Sequence, residues 1–291
     1  MTDRTFGEVV AALDTSTHDA AVVGWAAAEA ERVGAPLRLV SVVDAGLQLT
    51  PYEALAAGSP SLAEQVDADT RAALEATATE VRGAHPGLTV LTDIPWGSPA
   101  TGIVRATEAA RLLVVGAPAH GMFGSVVVPV MAHAHCPVLV VPEGTEVRSP
   151  RRAVVGVDGS EPSLRALDFA LGSVEPNGGS VTCVAAWRTE VEGGMLVTWP
   201  VADPSPAVDE RFAQIVEHAL SRVAPKHPGV KTSSVVRHGF AATVLLDVAR
   251  EEDADLVVIG SRGHGGFTGL LLGSVSRRVV GKAGRPVAVV H

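Results

Sequence analysis

Cysteine is scarce in this chain of 291 residues, with only Cys136 and Cys183, set far apart. No disulfide framework and no paired-cysteine metal site can be built from them, which suits a reducing compartment. Long apolar runs are missing too, and none reaches the roughly 18–20 residues that span a bilayer. Met1 to Gly7 shows no basic region leading into an apolar one, so no secretory signal is read there. Positive charge is in short supply: 23 Lys and Arg stand against 32 Asp and Glu, for a net charge of −9. That balance argues against nucleic acid and against an anionic membrane as partners. Several reaction motifs are absent as well. Gly281-Lys282 is followed by Ala283 and has no upstream glycine in register, so there is no Walker A loop. No Gly-x-Ser-x-Gly elbow and no His-Glu-x-x-His zinc motif occurs. What is present is apolar substance: 47% hydrophobic against 19% charged residues, enough for a folded core. A cytoplasmic, acidic protein of about two domains is expected.

Those two domains read as copies. Asp14, in Ala11-Ala12-Leu13-Asp14-Thr15-Ser16, is answered 144 residues later by Asp158, in Val155-Gly156-Val157-Asp158-Gly159-Ser160. Leu112–Gly116 recurs as Leu256–Gly260 at the same offset, and Trp96–Thr101 as His238–Thr243. Cys136-Pro137-Val138-Leu139-Val140-Val141 returns as Arg285-Pro286-Val287-Ala288-Val289-Val290. Collinear matches in one order indicate a tandem duplication. The halves are placed at residues 1–147 and 153–291, joined by a short basic linker at Arg148–Arg152.

Within the second half, short apolar runs alternate with amphipathic stretches. Strands are expected at Ala153–Val157, Val181–Ala186, Val230–Val236, Leu256–Ile259 and Val287–Val290. Helices are expected after Ser160, which offers an N-cap, and over Val208–Val223, Thr243–Glu252 and Ser274–Lys282. Trp187–Pro206 reads as a surface loop. Five strands alternating with four helices give an α/β, doubly wound parallel sheet in each half. Ligands of such sheets bind beyond the carboxyl ends of the strands.

Two of those ends stand out: Asp158 after the first strand, and the loop Gly260-Ser261-Arg262-Gly263 running on to Gly273-Ser274-Val275 after the fourth. Glycines let backbone N–H groups approach a ligand, and a helix N-terminus attracts anions, so the segment reads as a phosphate cradle to which Arg262 adds charge. Plainer roles stand beside this one. Asp158 can simply cap the following helix. Gly265, Gly266 and Gly269 can merely keep the loop flexible, and His264 can be a surface residue. His133 and His135, two apart on an expected helix, diverge and make a poor metal pair. Both cysteines read as core thiols, and Trp96, Trp187 and Trp199 fall at strand ends or in loops.

Gly260-x2-Gly263-x9-Gly273-Ser274, taken with Val155-Gly156-Val157-Asp158-Gly159-Ser160, resembles the ATP-binding signature of the universal stress protein family. The resemblance covers essentially the whole chain as two tandem domains. It implies a strand order of 3-2-1-4-5 and an adenine nucleotide, ATP or else ADP or AMP, in the crevice. Asp158 would then bind ribose or adenine with Gly156 beneath it, and Ala186 would face the base. Gly260, Ser261, Arg262 and Gly263 would border ribose and phosphates, and Gly273, Ser274 and Val275 would hold the phosphates. Mg2+ or Mn2+ would be held mostly by phosphate and water. The first half departs from the pattern. Ala119 stands where the second glycine belongs, the loop to Gly124-Ser125 is five residues shorter, and Thr15 replaces the equivalent of Gly159. Asp14, Gly116, Gly124 and Ser125 survive, which leaves weak or altered binding there an open alternative.

The leading functional reading is a nucleotide-binding stress-response protein that regulates or senses. From Leu256 to His291 there is no Asp or Glu, hence no obvious local base or metal ligand beside the phosphates, which argues against fast hydrolysis. The alternatives are a weak ATPase or nucleotidyl- or phosphate-transferring enzyme at the same site, and a dimerisation scaffold with incidental nucleotide. The short apolar closing strands, Val138–Val141 and Val287–Val290, suit edge pairing, and a homodimer is expected.

Overall fold

The computed structural model describes residues 7–44, 62–117, 125–188, 191–192, 195–196, 206–263 and 272–291. The chain divides into two compact units, with the boundary between Arg148 and Ser149.

In the first unit, strands β1 (Glu8–Ala12), β2 (Leu37–Val40), β3 (Val90–Asp93), β4 (Ala110–Ala117) and β5 (Val138–Pro142) alternate with helices α1 (Asp19–Val33), α2 (Leu62–Ala84), α3 (Pro99–Ala106) and α4 (Val127–His133). In the second, β6 (Arg152–Gly156), β7 (Ser180–Trp187), β8 (Lys231–His238), β9 (Leu256–Gly260) and β10 (Val287–Val290) alternate with α5 (Glu161–Val174), α6 (Pro206–Val223), α7 (Ala241–Glu251) and α8 (Ser274–Val280). Every pairing within each sheet is parallel, and the order in both is 3-2-1-4-5. Sequence and structure agree on each second-unit element to within about two residues at its ends.

The reasons are local. Ala153, Val154 and Val155 of β6 are buried from both faces, as are Val257 and Val258 of β9 beside them, so these strands read as unbroken apolar runs. Helix α5 begins where Ser160 Oγ accepts the Ser163 N–H (3.3 Å), with Glu161 and Pro162 in its first turn. Its stripe Leu164, Leu167 and Leu171 lies in the core. Asp255, in the turn before β9, accepts the N–H groups of Arg151 and Arg152 at 2.8 and 2.9 Å and so ties that turn to the start of β6.

Two expectations change. The stretch from Trp187 to Pro206 begins with a strand residue and carries a two-residue antiparallel ladder, Val191–Glu192 with Met195–Leu196. Helix α4 stops at His133, so His135 lies beyond it, because Pro137 disfavours helical backbone just before it. The two histidines part company: His133 Nδ1 faces the Pro129 carbonyl (2.8 Å), and His135 sits on Thr107. Both cysteine thiols are buried, and burial pushes each up to about 12, away from thiolate chemistry. Among the described residues no helix is long and apolar enough to cross a membrane.

Candidate functional site

The carboxyl ends of β6, β7 and β9 and the first turns of α7 and α8 enclose a cavity of about 530 Å³ in the second unit. Gly156 and Asp158, Ala186, Gly260, Arg262 and Gly263, and Gly273, Ser274 and Val275 all line it. Ser261 does not. It is buried behind the wall, donating its N–H to the Val290 carbonyl (2.7 Å) and accepting the Gly273 N–H at its own carbonyl (2.8 Å). Its part is to pin the two ends of the glycine segment together.

Asp158 is oriented by the residues that follow it. Its Oδ1 accepts the Ser160 N–H (3.0 Å) and hydroxyl (2.6 Å), a side-chain turn that starts α5. The cap itself is Ser160, so Asp158 supports the helix start without capping it, and Oδ2 of the same carboxylate faces Gly263. A Cβ built on Gly263 would come to 2.2 Å from Oδ2, well inside van der Waals contact, so any side chain there has to displace the Asp158 carboxylate.

At the other end, the Gly273 N–H is spent on Ser261. The first intrahelical bond of α8 runs from the Arg277 N–H to the Gly273 carbonyl (3.2 Å). The N–H groups of Ser274 and Val275 precede that bond, and with the exposed Ser274 side chain they are what this end presents to an anion. Gly273 contributes a lack of side chain rather than a donor. The opposite wall, Val184, Ala186, Ala241, Leu245 and Ile259, is apolar. One end thus suits a flat apolar ring and the other a charged oxygen group.

Sequence reasoning did not find Ser163, Ser276 or Leu245 in this wall. Ser276 is buried and donates to the Gly260 carbonyl (2.9 Å), closing α8 onto the end of β9. The Ser160-x-x-Ser163 spacing at a helix start was a signal for Ser163, whose Oγ accepts the Asp158 N–H (3.4 Å). Leu245 had no signal beyond an ordinary helical stripe.

The universal stress protein family model matches twice, over residues 5–142 and 150–291. The chain belongs to the universal stress protein family. A universal stress protein of Mycolicibacterium smegmatis is 30% identical over 293 residues, covering 97% of this chain and 96% of that one. Another, from Mycobacterium tuberculosis strain H37Rv, is 32% identical over 291 residues with the same shares covered. A crystal structure of a universal stress protein from Archaeoglobus fulgidus superposes with a TM-score of 0.72 at 21% identity, covering 98% of this chain and 96% of that one. That last likeness is one of fold.

The two units of this universal stress protein differ at the corresponding place. Asp14 repeats the side-chain turn, Oδ1 accepting the Ser16 N–H at 3.0 Å. Thr15, however, holds φ +63°, where Gly159 holds φ +86° in the second unit. A β-branched residue is strained there, and Thr15 offsets part of that by donating its hydroxyl to the Asp14 carbonyl (2.7 Å). A Cβ on Gly116 would meet Val22 at 3.2 Å, and Ser125 is exposed. A cavity of about 430 Å³ between α1 and α2 of this unit is lined by neither Asp14, Gly116 nor Ser125. Gly124, Trp199, His264, Gly265, Gly266 and Gly269 lie outside the described residues.

Proposed function

We propose that the second unit binds an adenine nucleotide, with ATP as the first candidate, and that the protein acts through occupancy of this site as a regulatory or sensing module. The observation that carries the reading is the contact of Gly263 with Asp158, inside a cavity whose far end presents the Ser274 and Val275 N–H groups. The close approach of Gly263 brings the glycine segment up to the Asp158 carboxylate, an acceptor type that suits ribose hydroxyls, and the α8 N–H groups suit phosphate oxygens. The apolar wall around Ala186 and Ala241 suits the base. The residues also fit a divalent ion carried in with the phosphates, held chiefly by phosphate and water.

Binding without rapid turnover is the form this takes. The whole segment from Leu256 to His291 holds no Asp or Glu, so it offers no carboxylate as base or metal ligand for an attacking water. The first unit is the weaker binder on this reading, because its loop is five residues shorter and Thr15 strains the turn beside Asp14. A cytoplasmic homodimer completes the proposal. One sedimenting species at the 29.9 kDa of a single chain would remove its dimeric part.

Native mass spectrometry of the purified protein, followed by calorimetry with ATP, tests the site. One nucleotide per chain is expected, lost in Gly263→Val and in Gly273→Val. No bound adenine nucleotide and no ATP affinity below the millimolar range would end the reading.

A further inference from the structure

Helix α7 starts on an unusual residue. Phe240 occupies its N-cap, has no side-chain oxygen to give the first turn, and leaves 54% of its surface exposed. Residues of the Ser, Thr, Asp and Asn type are favoured at that position. The first unit has a residue of that type in the corresponding place, Ser98 at the N-cap of α3, although its hydroxyl makes no capping hydrogen bond. His18 of α1 and Val126 of α4 also stand at N-caps without a capping bond, so it is the exposed aromatic ring that sets Phe240 apart.

The ring is not alone. The Arg188 guanidinium carbon lies over it, 4.3 Å from the centroid. Alternation along β7 sets Val184, Ala186 and Arg188 on one face. Trp187 turns to the other, where its indole N–H donates to Asp209 of α6 (2.7 Å) and its ring meets His238 edge-on. Val184 and Ala186 already line the cavity, and so does Ala241, the neighbour of Phe240. Two chain segments that each supply an apolar wall residue therefore continue outward into one stacked cation–π pair.

Building on the nucleotide reading above, we propose that the Arg188–Phe240 pair is the outer wall of the ring-binding end and selects ligands that carry a flat aromatic base. A base seated against Ala186 and Ala241 extends outward to lay part of its face against this pair. Both groups stack on π faces, and the phenyl ring and the guanidinium plane are each rigid, flat surfaces. The pair sets preference for the base and leaves the phosphate end untouched.

Calorimetry with ATP on the full chain, comparing wild type with Phe240→Ser, Phe240→Leu, Phe240→Trp and Arg188→Ala, tests this. Loss of a stacking aromatic weakens binding by about tenfold. The Ser and Leu variants are expected to show that loss, Arg188→Ala a smaller one, and Phe240→Trp none. Circular dichroism and thermal midpoint are expected to stay at wild-type values in Phe240→Ser, whose new residue is a favoured cap. Wild-type affinity in Phe240→Ser or in Phe240→Leu overturns the proposal, since the ring would then be outside the site or mere apolar bulk. Wild-type protein that binds no adenine nucleotide overturns the nucleotide reading itself and this proposal with it.

Discussion

Asp19, in the first turn of α1, is a carboxylate folded into a half-buried place. Burial pushes it up to about 6 from an ordinary 3.8, against the lowering effect of the Asp14 and Thr15 N–H groups that it accepts. A raised carboxyl binds its proton more tightly folded than unfolded, so between about pH 4 and 6 the folded state holds more protons. Stability from this group is therefore full below that window and lost as pH rises through it. Asp19→Asn keeps an oxygen acceptor and drops the charge. Urea midpoints are expected to match wild type near pH 4 and to exceed it at pH 7. A gap that stays constant with pH would show that Asp19 is not the group responsible. The same scale explains Thr15 and Gly159: one left-handed position, filled once by a strained residue and once by the residue suited to it.

Elements are joined by a few polar ties in an otherwise apolar interior. Asp255 is buried and holds the two N–H groups at the entry to β6, the strand that delivers Asp158 to the cavity. Asp255→Ala would leave both donors without this acceptor, at about 1.5–3 kcal/mol for a charged hydrogen-bond partner. Chemical denaturation is expected to show a lower midpoint, with Asp255→Asn falling between. A midpoint unchanged in Asp255→Ala would mean that water replaces the carboxylate at no cost. The element boundaries were legible because period and length are written in the chain. Continuous runs such as Ala153-Val154-Val155 gave strands, and Leu164, Leu167 and Leu171 gave a helix. The small ladder after Trp187 was not, since two-residue pairings leave no periodic trace.

For the whole molecule, ligand binding couples to unfolding. If one unit binds ATP, saturating nucleotide adds stability to that unit, about 2.7 kcal/mol at a hundredfold excess over Kd. Calorimetric scans are expected to show a nucleotide-dependent rise in one transition, absent in Gly263→Val. A rise of equal size in that variant would place binding elsewhere in the chain. The sequence by itself determined the duplication, the doubly wound sheets and the glycine segment, because each is a matter of pattern and spacing along the chain. Only the tertiary structure decided how those residues are used. It turned Ser261 inward, spent the Gly273 N–H on a carbonyl, and set Gly263 against Asp158 across 105 positions of sequence. It also laid Arg188 over the ring of Phe240, across 52 positions of sequence. Such contacts depend on where separate strands end in space, and no local period records that.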